Sequence, residues 1–287
     1  MLLPFSKYHG LGNDFAVVDA RALELTFPGA LGAALCDRHR GIGADGVLVW
    51  TGSVARPQMT VVNADGSVAE MCGNGVRCFV KHLLDRHLRH VNALEVLTGN
   101  GLLPCAVTRD GDGDVATVAV HMGVASHAPE RIPLAQTQPL LDQAVIVADR
   151  AVRLTALSLG NPHAVTFDPL NAAERARLGP LLGQHPLFPQ SANIEFAQVL
   201  PGATPRLQVD VYERGCGWTQ ACGTGATAAA IVAVETGLMP RNREIGVQLP
   251  GGWLAIAVAD DGQATMRGPA VHVFDGAIDV TRLQAAA

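Results

Sequence analysis

The stretch Met71–Val76 reads MCGNGV, and it recurs half a chain later as ACGTGA at Ala221–Ala226. Each copy follows a strand-like run and a loop, and each opens a helical pattern. A repeat on this scale is typical of a duplicated supersecondary unit. The repeat therefore predicts two similar domains, with a site built from equivalent parts of both.

The two turns lead into the clearest helical patterns of the chain. After Gly75, apolar residues recur at helical spacing with charged residues on the opposite face: Val76, Phe79, Val80, Leu83 and Leu84. The second pattern, from Ala226 to Gly237, is apolar nearly all round, which is typical of an enclosed helix. Short β-like runs between Gly- and Pro-containing turns outnumber these helices. We predict an α/β (α+β) fold with antiparallel or mixed sheet wrapped around a helix.

Composition excludes several classes of protein. The 287 residues are 48% hydrophobic, which suits one large domain or two of moderate size. A net charge of −5 without a Lys/Arg run argues against a nucleic-acid partner. The longest uncharged stretch, Gly215–Val234, is strongly apolar only over Ala226–Val234, too short to cross a membrane. Lys7 and His9 interrupt any signal peptide. We expect a soluble cytoplasmic protein with reduced thiols.

A cysteine immediately before a helix has a specific chemistry. It lies near unpaired backbone N–H groups and the positive end of the helix dipole, which favour a thiolate and a pKa below the usual value of about 8.5. The glycines allow a ligand close to the backbone, and the N–H groups suit a carboxylate. Two such turns at one cleft would supply a base and an acid on opposite faces of an amino-acid Cα, without a cofactor.

Other interpretations of these residues are weaker. Cys36, Cys78 and Cys105 are best explained as small buried hydrophobes. No paired Cys/His knuckle predicts a metal site. Gly41–Gly46 matches the dinucleotide-binding pattern but precedes a strand, whereas that motif follows one, and Gly223–Ala228 lacks the strand-end acid. We therefore expect neither a metal nor a cofactor.

The two Cys turns resemble the catalytic turns of the diaminopimelate epimerase family. Further similar segments run in order along the whole chain: His9–Phe15, Asn63–Ser67, Gly160–His163, Asn193, Glu213–Gly215 and Gly268–Ala270. The resemblance implies two pseudo-symmetric domains, each a mixed or antiparallel barrel-like sheet around a central helix. The domains would comprise residues 1–122 plus 272–287 and residues 123–271, with the active site in the interdomain cleft.

The resemblance also implies an activity, the cofactor-independent interconversion of LL- and meso-diaminopimelate in lysine biosynthesis. Cys72 and Cys222 would be the base and the acid, and His163 and Glu213 would tune the site. The substrate-binding residues would be Asn13, Asn63, Gly73, Asn74, Asn161, Asn193, Glu213, Arg214, Gly223 and Thr224. The residue types agree with this substrate, because the Arg214 guanidinium can bind a distal carboxylate and the Glu213 carboxylate can bind an ammonium group. We expect a homodimer.

Two alternatives remain at this stage. A proline or hydroxyproline racemase would use the same two-thiol chemistry, but those enzymes usually carry His where this chain has Asn74. A binding module without catalysis would not need two activated thiols. The chain also departs from the family pattern: Gly46 stands where many members have Gln, and Cys216 and Trp218 stand where small and acidic residues are expected.

Overall fold

The computed structural model describes residues 1–21, 27–69 and 71–284, so residues 285–287 of the predicted first domain lie outside the described part. The chain forms two compact units. Unit 1 comprises Met1–Val120 and Gly268–Ala287, and unit 2 comprises His121–Arg267. No helix in the described ranges is both long and apolar enough to cross a membrane.

The described part of unit 1 is a mixed sheet with three helices. In chain order its elements are β1 (Leu2–Gly10), β2 (Asn13–Asp19), α1 (Gly29–Cys36), β3 (Gly46–Gly52), β4 (Pro57–Asn63), β5 (Val68–Ala69), α2 (Gly73–Arg86), β6 (Ala93–Thr98), β7 (Gly101–Arg109), β8 (Val115–Val124, which runs past the unit boundary), β18 (Val271–Asp279) and α5 (Val280–Gln284). The strands pair in the order β18-β1-β2-β3-β4-β6-β7-β8. The pairs β2–β3 and β4–β6 are parallel, and the others in this order are antiparallel.

Unit 2 is built in the same way from the following elements: β9 (Gln143–Val147), β10 (Arg150–Ser158), β11 (Pro162–Thr166), α3 (Ala172–Gly183), β12 (Asn193–Val199), β13 (Arg206–Glu213), β14 (Gly217–Trp218), α4 (Gly223–Glu235), β15 (Ile245–Leu249), β16 (Gly252–Val258) and β17 (Gln263–Gly268). Its strands pair in the order β9-β10-β11-β12-β13-β15-β16-β17. Here β11–β12 and β13–β15 are the parallel pairs.

The two units therefore repeat one topology. The parallel pair β2–β3 of unit 1 corresponds to β11–β12 of unit 2. The parallel pair β4–β6 corresponds to β13–β15, and each of these joins the last long strand before the Cys turn to the first strand after the central helix. A two-residue strand precedes each Cys turn: β5 in unit 1 and β14 in unit 2. The predicted α/β fold of two similar domains is confirmed.

Each central helix is buried among strands of its own unit. Helix α2 packs on β1, β2 and β4, and its buried side includes Val76, Phe79 and Leu83. Helix α4 packs on β10–β13, β15 and β16, and it is buried continuously from Gly223 to Val234. Helix α4 is enclosed as its all-round apolar pattern predicts. Helix α2 is more deeply buried than its amphipathic pattern predicts, because Arg77 and His82 on its polar face are buried too.

The third residue after each cysteine is a glycine, and a side chain from a strand lies close to it. A Cβ on Gly75 would come 2.9 Å from Leu48 Cδ2 on β3. A Cβ on Gly225 would come 2.9 Å from Glu195 Oε1 on β12, the equivalent strand. A larger residue at either position would therefore require a neighbouring side chain to move.

Candidate active site

Cys72 and Cys222 cap their helices with the same geometry. Both have extended backbone, with φ −141°, ψ 108° at Cys72 and φ −123°, ψ 108° at Cys222. Each Sγ accepts the N–H of the glycine three residues on, at 3.4 Å for Gly75 and 3.3 Å for Gly225. The backbone N–H groups of the first helical turn have no intrahelical acceptor. Each turn therefore places a sulfur beside donors suited to a carboxylate.

In unit 1, two asparagines surround the thiol of Cys72. The Asn74 amide donates to Asn13 Oδ1 at 3.0 Å, and the same oxygen lies 4.0 Å from Cys72 Sγ. The Asn13 amide in turn donates to Asp45 Oδ2 at 2.8 Å. The structure thus brings three residues predicted for the site, Cys72, Asn13 and Asn74, into one cluster. Cys72 itself is only partly buried.

An ion-pair network lies behind Asn13, and the sequence reasoning missed it. Asp14 Oδ2 lies 2.6 Å from Lys7 Nζ, and its Oδ1 lies 2.8 Å from Arg38 Nη2, which also reaches Asp45 at 2.7 Å. Burial alone would raise the pKa of Asp14, but hydrogen bonds from Arg38 and Lys7 lower the pKa to about 2. The network fixes the Asp45 carboxylate that orients Asn13.

Arg77 is a second residue of unit 1 that sequence reasoning did not assign to the site. Its side chain is fully buried one turn into α2. Nε donates to Pro269 O at 3.1 Å, and Nη1 donates to Gly73 O at 3.4 Å. The guanidinium is thus bonded to the residue immediately after Cys72.

In unit 2, Cys222 is surrounded by carboxylates, and only 5% of it is exposed. Its Sγ lies 3.4 Å from Thr224 Oγ1. Burial raises the pKa of the Cys222 thiol well above its usual range, and the negative charge of Glu213 raises it further. The expected low pKa is therefore wrong for Cys222, because desolvation outweighs the helix N–H groups. Burial also raises the pKa of Glu213, which accepts a hydrogen bond from Thr219.

A buried chain of hydrogen bonds supports the turn of Cys222. Glu195 Oε1 lies 2.7 Å from His163 Nδ1, and His163 Nε2 lies 2.9 Å from Asn161 Oδ1. The Asn161 amide donates to Thr224 Oγ1 at 3.4 Å. Glu195 and His163 are both completely buried, and burial raises the pKa of Glu195. Two predicted residues, Asn161 and His163, are thus joined to the Thr224 turn.

Glu195 is a supporting residue that sequence reasoning missed. It lies in the middle of β12, between Ile194 and Phe196, where a lone acid in an apolar strand was the available signal. Its second oxygen has no hydrogen-bond partner among the described residues. A buried carboxylate in this state is costly and calls for a specific role.

Three further predicted residues lie at strand ends or in a turn of their own units. Asn193 is buried at the start of β12, and its Oδ1 accepts the backbone N–H of Arg214 at 2.8 Å. That bond holds the turn after β13 that carries the exposed Arg214. Asn63 ends β4, and its amide donates to Ser67 Oγ at 3.0 Å.

The residues that depart from the family pattern have local explanations. A Cβ on Gly46 would lie 3.0 Å from Val62 O and 3.3 Å from Phe15 Cε1, so the strand pair leaves little room there. Trp218 packs against Phe196 and Tyr212, with ring centroids 5.7 and 5.5 Å apart respectively. Cys216 is exposed in the turn between β13 and β14.

The three remaining buried thiols share the raised pKa of Cys222, but none of them caps a helix that begins at a Cys-Gly turn. Burial raises the pKa of Cys36 to about 11, and it raises the pKa values of Cys78 and Cys105 to about 12 each. These three thiols are therefore neutral at physiological pH. Among the described residues, no group of three or more His, Cys, Asp or Glu side chains is arranged to hold a metal ion.

Comparison with known proteins identifies the family. The family model for diaminopimelate epimerase matches residues 5–128 and 155–273. The chain belongs to the diaminopimelate epimerase family. It is 41% identical over 284 residues to the diaminopimelate epimerase of Ectopseudomonas mendocina (strain ymp), covering 97% of this chain and 99% of that protein. It is 44% identical over 280 residues to the diaminopimelate epimerase of Desulforudis audaxviator (strain MP104C), covering 96% and 98%.

Solved structures of more distant proteins share the fold. A hydroxyproline epimerase from Agrobacterium vitis matches with a TM-score of 0.70 and 15% identity, covering 96% of this chain and 91% of that one. A PhzF-family phenazine biosynthesis protein from Bacillus anthracis matches with a TM-score of 0.72 and 15% identity, covering 97% and 99%. At this identity the likeness concerns the fold alone, whereas sequence identity places the chain among the diaminopimelate epimerases.

Proposed function

We propose that the protein interconverts LL- and meso-diaminopimelate by removing a proton from one face of Cα and returning one to the other. The observation that carries this proposal is the pair of Cys caps with the same geometry, one in each unit. Membership of the diaminopimelate epimerase family supports the choice of substrate. The product would feed lysine biosynthesis.

In this mechanism one thiolate is the base and one thiol is the acid, and they exchange roles after each turnover. Backbone N–H groups of Gly73, Asn74, Gly223 and Thr224 would hold the carboxylate on the reacting carbon. They are fixed dipoles, so they stabilise the charge that develops as the proton leaves without reorganising. Both Cys turns must reach the same Cα, as the interdomain cleft predicted from the sequence requires.

The rest of the substrate would be held by the polar residues around the two turns. Arg214 suits the distal carboxylate because a guanidinium binds a carboxylate through two parallel hydrogen bonds. Its backbone is fixed by Asn193. Glu213 would accept an ammonium group, and His163 would orient Asn161. Asn13, Asn63 and Asn161 would provide the remaining donors and acceptors.

The domain boundaries, oligomeric state and location belong to the same proposal. The two catalytic domains would be residues 1–122 with 272–287 and residues 123–271. We propose a cytoplasmic homodimer. Strand β18 supports it, since Val271, Val273 and Phe274 are 44–51% exposed there. Sedimentation equilibrium tests this state, and a mass of 30.0 kDa at all concentrations would contradict it.

The decisive test of function follows solvent deuterium into Cα of diaminopimelate, with L-proline and L-lysine in parallel. We expect rapid exchange with diaminopimelate and none with proline. Lysine lacks the distal carboxylate, so its slow exchange would support the role of Arg214. Exchange with proline but not with diaminopimelate would overturn the proposal in favour of a proline racemase activity.

A further inference from the structure

The two Cys turns differ at the fifth residue after the cysteine. That residue is Arg77 in unit 1 and Thr227 in unit 2, and both side chains are fully buried. Each donates to the carbonyl of the first helical residue, Arg77 Nη1 to Gly73 O at 3.4 Å and Thr227 Oγ1 to Gly223 O at 2.8 Å. The two side chains fill the same structural position, but arginine carries a permanent positive charge and threonine carries none.

The guanidinium of Arg77 lies beside the first turn of α2. A Cβ on Gly10 would come 2.9 Å from Arg77 Nη2 and 3.4 Å from Asn74 Cβ, so these two groups border the same space. Burial lowers the pKa of Arg77, and attraction to the thiolate forms of Cys78 and Cys72 opposes this effect. Burial raises the pKa of the neighbouring Cys78 to about 12, so that thiol is uncharged near neutral pH.

The charged groups around Cys222 have the opposite sign. Burial raises the pKa of Cys222, and the carboxylates of Glu213 and Glu195 raise it further. His163 faces both of these carboxylates. Beside the Cys72 turn the buried charged group is Arg77, and the ion-paired Lys7, Asp14, Arg38 and Asp45 lie behind Asn13. Coulomb interactions are strong at buried positions, so this difference in sign matters more than the identical cap geometry.

We propose that Arg77 is a positioning residue that makes Cys72 the resting thiolate, while the carboxylates around Cys222 keep that residue a thiol. Its catalytic meaning rests on the proposed epimerase function: the free enzyme begins its cycle with Cys72 as the base and Cys222 as the acid. The stereoisomer whose Cα proton faces Cys72 would bind the prevalent protonation form of the enzyme. The other stereoisomer would require a minor form, in which Cys222 is the thiolate.

The proton balance of one cycle follows from this assignment. The Cys72 thiolate takes the proton from Cα, and the electron pair of the C–H bond remains on the substrate. The Cys222 thiol then protonates the opposite face of the same carbon. The enzyme is left with a Cys72 thiol and a Cys222 thiolate. It returns to its resting form when Cys72 releases a proton and Cys222 gains one through solvent, with no change of oxidation state.

The first test measures the pH dependence of alkylation on the full-length, substrate-free protein. Iodoacetamide is applied in the presence of a phosphine reductant, and peptide mapping gives the rate at each cysteine. Accessibility sets the maximal rate, whereas the midpoint reports ionisation. We expect the midpoint of Cys72 to lie at least about one pH unit below that of Cys222. Equal midpoints, or a lower one at Cys222, would overturn the proposal.

The second test changes the charge. Arg77→Met should raise the midpoint of Cys72 by about one unit or more, while Arg77→Lys should restore most of the wild-type value. Thr227→Ser is the matched control and should move neither midpoint. Glu213→Gln should lower the midpoint of Cys222. The role assigned to Arg77 would be contradicted if the folded Arg77→Met variant had the wild-type alkylation midpoint at Cys72, or if the midpoints of both cysteines shifted equally.

These outcomes remain distinguishable from failure of the proposed function. Circular dichroism reports whether the Arg77→Met variant folds. If the variant does not fold, the difference between the Cys72 and Cys222 midpoints in the wild type tests the charge assignment. Alkylation requires no turnover. If Cys72 has the lower midpoint but no deuterium enters diaminopimelate, the proposed function is rejected and the charge assignment stands. If deuterium enters diaminopimelate but the two midpoints are equal, the charge assignment is rejected and the proposed function stands.

Discussion

The turns of Cys72 and Cys222 share a backbone and differ in what supports them. In unit 1, Asn13 contacts the turn and is held by Asp45 within a partly exposed ion-pair network. In unit 2, a completely buried pair, His163 and Glu195, supports the turn through Asn161. The two units therefore share the helix cap, which is local, and differ in the side chains behind it. The comparison shows that one cap geometry is compatible with opposite electrostatic surroundings.

Removing either capping thiol is expected to have the largest effect, and it tests whether the two Cys turns are equally necessary. Cys72→Ala and Cys222→Ala should each reduce epimerisation by about 10²–10⁴-fold, because a proton removed from one face cannot be returned to the other. Steady-state rates in both directions provide the measurement. Cys36→Ala and Cys105→Ala are the controls, since both thiols are buried and neutral. A capping variant with near-wild-type rate would remove that cysteine from the mechanism.

Changing the buried acid of unit 2 sharpens the comparison. Glu195→Leu should lower kcat about tenfold, the effect of losing a hydrogen bond to a charged group, because His163 and Asn161 lose their orientation. Glu195→Gln keeps an acceptor for His163 Nδ1 and should retain most of the activity. Equal loss in both variants would show that the charge matters and that orientation does not.

The ion pairs of unit 1 should have the smallest effect on activity, and their effect on stability should depend on pH. The pKa of Asp14 falls from 3.8 to about 2 on folding, so its charge stabilises the protein above pH 3.8 and that stability is lost as pH falls towards 2. Asp14→Asn should lower the free energy of unfolding by about 2 kcal/mol at pH 7.

Urea unfolding at pH 7 and pH 3 measures this difference. The difference in the free energy of unfolding between wild type and Asp14→Asn should be smaller at pH 3. At that pH, Asp14 takes up a proton when the wild type unfolds, which favours the unfolded state. Asp112→Asn, at an exposed turn, is the control and should change neither value. A gap that widens at pH 3 would contradict the assigned direction of the pKa shift.

The sequence predicted the two central helices well but missed α1, α3 and the short α5. Helices α2 and α4 were evident because apolar spacing and the Cys-Gly turns mark them. Helix α3 was missed although Asn171 and Glu174 form a capping box at its start, a signal present in the sequence. Helix α1 has no side-chain cap and a Gly- and Ala-rich sequence without polar alternation, so periodicity could not reveal it.

The sequence by itself determined the positions of the two capping cysteines, because a helix start depends on residues within one turn of each other. It also revealed the repeat, and its resemblance to the diaminopimelate epimerases marked the residues expected to bind substrate. Only the tertiary structure decided the charges around each thiol. Glu195 and Asp14 reach their sites across neighbouring strands, and the direction of the Arg77 side chain depends on Pro269, far along the chain. Burial and Coulomb interactions arise from such long-range contacts, so no local pattern could predict the raised pKa of Cys222.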